Sequence, residues 1–174
     1  VAAILDITKA RARVVSSSAL AMRQGILYGQ AIGRALERAL AQQQADPSRY
    51  LVDERPGSAR LLAEGLRIAA RLAAAKQAPD DKLVDFVFTQ DGLLEKFGLA
   101  EVACVVDPQT LLDCLKAEEL ARSNRFMLAL PLGFGRVRLT SVPDELLLEH
   151  LSGWCKSRRK LARRRAREAQ TETN

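Results

Sequence analysis

Ser17, Ala21, Gly25, Gly29 and Gly33 stand at strict four-residue spacing inside a stretch, residues 2–45, that contains no proline. On a helix this spacing lines one side with small residues. Apolar residues recur with helical period beside it, at Ile4, Ile7, Val14, Val15, Ile26, Ile32, Leu36 and Leu40. The stretch therefore reads as one long helix, stopped by Asp46-Pro47-Ser48. A glycine in a helix interior costs about 1 kcal/mol relative to alanine. Three in register predict that another backbone comes close. With 48% apolar but only 5% aromatic residues in 174, the chain must pack with Leu, Ala, Val and Ile. That bias favours helix.

Two partners suit the ridge. One is internal: the helix expected from Ser58 to about Lys76, after the break at Pro56-Gly57, carries its own ridge of Gly65, Ala69 and Ala73. The other is a second chain, in the manner of small-residue helix pairs, with Arg23, Gln24 and Gln30 marking a soluble version. Over residues 17–33 the ladder is similar to the glycine ladder of the flagellar and type III export stator family. The C-terminal half does not match that family. The resemblance implies a structural or adaptor subunit of a larger, secretion-machine-like assembly, docking through Ser17, Ala21, Gly25, Gly29 and Gly33.

Downstream the pattern becomes mixed. Ala78-Pro79-Asp80-Asp81 starts a third helix, with acids at its positive end. It loosens at Asp91-Gly92 and is capped by Gly98. Val102–Val106 is a short apolar run that best suits a buried strand, with a helix segment as the alternative, and Asp107-Pro108 opens a helix through Leu120. Residues 126–130 and 136–140 alternate as a β-hairpin around Pro131-Leu132-Gly133-Phe134-Gly135. Pro131 suits only an edge or a strand end. Ser141-Val142-Pro143-Asp144 begins a last helix whose Leu147, Leu151 and Trp154 share a face. The fold class is mostly α (α+β): a helical region over 1–77, a small α+β domain over 78–155 with its hairpin near 125–141, and a tail over 156–174.

The whole net charge of +6 lies in that tail. It holds eight Lys/Arg and two Glu, while the preceding residues balance to zero. Placed on a helix, Lys156, Arg158, Arg159, Lys160, Arg163, Arg164, Arg165 and Arg167 spread around nearly the full circumference. A membrane-surface helix needs an apolar face opposite its cations, and this segment has none. Phosphate-rich nucleic acid, bound without regard to sequence, fits better. An acidic protein surface is the alternative partner. Arg136 and Arg138 on the hairpin could add a basic wing. The preceding helix, however, offers Asp113, Glu118 and Glu119, which speaks against major-groove reading.

Chemistry is thinly supported. His150 is the only histidine, and Ser16-Ser17-Ser18 has no histidine nearby in sequence. Of Asp80, Asp81 and Asp85, which resemble a metal cluster, the first two are explained by a helix start. No phosphate-loop motif accompanies Gly133-Phe134-Gly135. Cys104, Cys114 and Cys155 sit in apolar runs without metal-ligand spacing. No metal or other cofactor is expected, and the free thiols suit the cytoplasm or another reducing compartment. No apolar run reaches the roughly 18 residues of a membrane span. The chain begins at Val1 with no signal-peptide pattern, as a processed or partial chain would. The expectation is a non-enzymatic nucleic-acid-associated protein, a regulator or ribonucleoprotein subunit, assembled as a homo- or hetero-oligomer.

Overall fold

The structure, a computed structural model, describes residues 9, 12–19, 25–43, 56–77, 81–122 and 125–172. Its helices are α1 (Gln30–Gln43), α2 (Ser58–Lys76), α3 (Asp81–Lys96), α4 (Pro108–Arg122) and α5 (Asp144–Glu172). One antiparallel hairpin, β1 (Leu128–Gly133) and β2 (Arg136–Thr140), lies between α4 and α5. The molecule is mostly α with a small β element, as the patterning predicts.

The long helix expected over 2–45 is not continuous. Residues 12–16 are helical, 17–19 are not, and Gly25–Leu27 form a 3-10 turn. Gly29 then takes φ +73° and accepts from the Gly33 amide at 2.9 Å, so α1 starts there. Only glycine adopts that left-handed conformation without a steric penalty. The four-residue spacing therefore marks a corner followed by a crossing, rather than one uninterrupted ridge.

α2 is the central element: α1, α3, α5 and β1 all pack on it. Its crossing with α1 is made by backbone. A Cβ built on Gly65 would collide with the Gly29 carbonyl oxygen and lie 2.8 Å from the Gly33 nitrogen. One built on Gly33 would lie 3.1 Å from the Leu62 Cα. The apolar residues behind this contact, Ile32, Leu36 and Leu40 of α1 with Leu61, Ile68 and Leu72 of α2, are all at most 2% exposed. Each such burial is worth about 2 kcal/mol against exposure.

α3 runs unbroken past Asp91-Gly92 and ends as expected at Gly98, whose φ is +72°. There the Leu99 amide reaches the Leu94 carbonyl and the Gly98 amide that of Glu95, both at 2.9 Å. The expected strand over 102–106 is not one. The segment is buried and without a strand partner, and its amide at Val102 is met by a side chain of α2 instead. Asp107 caps α4 by accepting from the Thr110 amide at 2.8 Å, with Pro108 at the first helical position. In the hairpin, Pro131 pairs with Val137 beside an irregularity before Gly133. A two-stranded sheet has only edge strands, so the missing amide is tolerated. β1 packs on α2 and α3, and the turn residue Phe134 meets Phe86 edge-on at 5.0 Å.

One buried apolar cluster joins residues of α1, α2, the 102–106 segment, α4, β1 and α5. It draws on both bodies expected from the sequence. Within it, α5 buries Leu147, Leu151, Trp154 and Cys155 against α2 and α4, and Ala162, well into the tail, is fully buried as well.

Candidate nucleic-acid interface

The tail residues sit on α5, and what holds that helix in place is a buried carboxylate. Glu64 on α2 is fully buried, next to the Gly65 crossing. Its Oε1 accepts from the Val102 amide at 2.8 Å and lies 3.5 Å from Arg67 Nη1. Its Oε2 accepts from Trp154 Nε1 at 2.7 Å and from Arg158 Nε at 3.1 Å and Nη2 at 3.0 Å. Arg67 is satisfied elsewhere by the Leu99 carbonyl at 2.7 Å. Arg158 also reaches Glu101 at 2.8 Å and lies over the Trp154 ring. Every charge in this cluster is met, which is what makes ionised groups tolerable in a core.

Arg158, placed by sequence among the phosphate contacts, is therefore 3% exposed and occupied inside the protein. Arg165 is exposed and donates along the surface to the Glu101 carbonyl at 3.3 Å. The other six cations, Lys156, Arg159, Lys160, Arg163, Arg164 and Arg167, are exposed. At 100° per residue they fall within about 140° of the helix circumference. The side facing the body is taken by the buried Arg158 and Ala162, with Arg165 exposed at its edge. The expected all-round distribution thus becomes a one-sided cationic face, roughly 16 Å long at 1.5 Å per residue. Arg164 shares its charge with Glu168 at 3.7 Å.

Arg136 and Arg138 are exposed on β2, on the hairpin that packs against α2 and α3. They are not brought onto the α5 face. Of the ridge residues, Gly29 and Gly33 are turned onto Leu66, Leu62 and Gly65 of α2, whereas a Cβ on Gly25 would meet nothing within 4 Å. Ser17 lies in the non-helical 17–19 stretch, and Ala21 lies outside the described residues. The exposed side of α4 carries Asp113, and Glu118 pairs with Arg34 at 3.2 Å and Arg38 at 3.1 Å.

The thiols are free and buried. Burial pushes Cys104 and Cys155 up to about 12, so neither is a thiolate near neutral pH. Tyr28 is likewise held neutral by burial and donates to Gln90 at 2.5 Å. His150 is half-buried on the wall of an open groove between α2 and α5. Among the described residues, no His/Cys/Asp/Glu group is arranged to hold a metal, and no helix is long and apolar enough to cross a membrane. Compared with protein-family models, curated proteins and solved structures, the chain finds no match. Geometry alone carries the functional reading.

Sequence reasoning missed Glu64 and Arg67, yet a signal was present. Leu61, Glu64, Ile68 and Leu72 follow helical spacing, and so do Leu147, Leu151, Trp154 and Arg158. Each series places a charge on an apolar face, where it needs a partner.

Proposed function

We propose that the chain is a non-enzymatic nucleic-acid-associated protein that grips phosphates without regard to sequence. Lys156, Arg159, Lys160, Arg163, Arg164 and Arg167 supply the contacts. The observation that carries this reading is their shared exposure on one side of a helix whose other side is anchored by Arg158 and Ala162. Opposing cations on a curved anionic backbone release counterions, and six contacts imply a log–log salt slope of roughly −5 on duplex DNA.

Removal of residues 156–174 would be a poor test, because it also strips Arg158 from Glu64. Replacing Arg159, Lys160, Arg163 and Arg164 with Gln leaves that anchor intact. In anisotropy titrations on duplex DNA across salt, the slope should fall from roughly −5 to roughly −2, with unchanged thermal unfolding. Unchanged affinity and slope would refute the assignment.

A subunit role in a larger protein assembly draws support from exposed aromatic side chains elsewhere. Phe88, Phe97 and Phe134 are 72%, 76% and 62% exposed, and aromatic side chains are enriched at protein interfaces. Copurification with and without nuclease, at low and high salt, separates the two readings. A nuclease-resistant, salt-resistant partner would favour the assembly.

A further inference from the structure

The groove between α2 and α5 has a volume of about 550 Å³, within the range of ligand pockets. Ile68 and Arg71 of α2, Glu101, and Glu149, Gly153 and Lys156 of α5 line it, and the little-exposed edge of Trp154 closes the floor. Gly153 is the unexpected residue. It lies mid-helix, where glycine weakens the helix, yet a Cβ there would meet nothing within 4 Å. Gly65 is required by the backbone facing it, whereas nothing among the described residues requires Gly153. What its missing side chain does is leave the groove open.

The charges say what could enter. Lys156 belongs both to the groove and to the cationic face of α5. A strand lying on that face therefore passes the groove mouth. Within the groove, Glu149 is exposed and has no ion pair among the described residues. The Glu101 carboxylate, 44% exposed, holds Arg158 at 2.8 Å through Oε1 and presents its other oxygen. Two carboxylates repel phosphate and accept hydrogen bonds from amino groups. The apolar floor and acceptor walls thus suit a base, with its phosphate left outside at Lys156 and its neighbours.

We infer that a single-stranded nucleic acid laid on the cationic face turns one base into the groove at Gly153. Adenine, cytosine and guanine carry exocyclic amino groups that Glu149 and Glu101 can accept from, whereas thymine and uracil offer only a ring N3–H flanked by two carbonyl oxygens that a carboxylate repels. Paired and stacked bases of a duplex cannot enter without being flipped out. The inference rests on the nucleic-acid reading of the α5 face, and it adds a strand and base preference that the face alone lacks.

Anisotropy titrations of the full chain with labelled oligodeoxycytidine, oligothymidine and a mixed-sequence duplex, at neutral pH, test it. The wild type should bind oligodeoxycytidine about tenfold more tightly than the other two, the low end of what one base-edge contact contributes. Gly153→Leu, which fills the groove, should bind all three alike with an unchanged salt slope. Gly153→Ala should raise Tm, verifying that the glycine is not structural. Glu149→Gln should shrink the cytidine-over-thymidine preference without weakening thymidine binding, a readout that holds even if Gly153→Leu folds poorly. Equal affinities in the wild type, or a preference that survives both Gly153→Leu and Glu149→Gln, would overturn the inference and leave the cationic-face reading standing. Failure to bind any of the three would overturn both.

Discussion

Two neighbouring residues of α2 hold two of its crossings by opposite means. At Gly65, α2 meets α1 through the absence of side chains, and the backbones close to van der Waals distance. At Glu64, α2 meets α5 through a buried carboxylate shared by Arg158 and Trp154, with Arg67 beside it. The first crossing is steric and indifferent to what surrounds it. The second depends on every partner being present, because a buried charge left alone is far costlier than one never buried. A helix can therefore be fixed on one side by shape and on the other by polar completeness, with a single residue step between them.

The sharpest way to break this comparison is Glu64→Ala. It takes from Arg158 its buried partner, leaving only the half-exposed Glu101, and removes the acceptor for Trp154. The cost should be about 3–5 kcal/mol in urea unfolding. Restoring only shape, as in Glu64→Leu, should not recover that loss, whereas an ordinary packing site would be largely rescued. Gly65→Ala comes next, at about 1–3 kcal/mol from overpacking that the facing backbone cannot relieve. Its effect should not vary with salt or pH. A Gly65→Ala protein as stable as wild type would mean that the helices are further apart than described.

The smallest effect is alkaline. Cys104 and Cys155 lie near the Glu64 side, and their ionisation is displaced upward from 9.0 to about 12 by burial. Unfolded thiols lose protons near their ordinary value while the folded ones resist. Stability should thus be unaffected below pH 9 and decline as pH rises from 9 toward 12. Replacing both cysteines with alanine should flatten that decline. An unaltered alkaline profile would assign the loss to other groups, Tyr28 among them.

Much of the architecture was legible because local chemistry and tertiary context agree. Asp107-Pro108 caps α4, Gly98 ends α3, and the alternation in 136–140 makes a strand, each for a reason contained in a few residues. The N-terminal region misled because period and lack of proline speak for a helix, while the positive φ of Gly29 is imposed by how closely α2 must approach. The 102–106 run misled because an apolar segment can be buried without pairing in a sheet. The candidate interface was found by charge alone, but its sidedness was not. Whether Arg158 faces solvent or Glu64 depends on a residue 94 positions away.

Arg158 also changes what the remaining cations can do. A flexible arm must surrender roughly 1–2 kcal/mol of backbone freedom for each residue it orders on a partner. A helix clamped at its root surrendered that freedom when the protein folded. On the proposed reading, its six charges would meet a phosphate backbone as a comb of fixed pitch, and more of each contact would survive as affinity. The cation buried against Glu64 sets the register of those left in solvent.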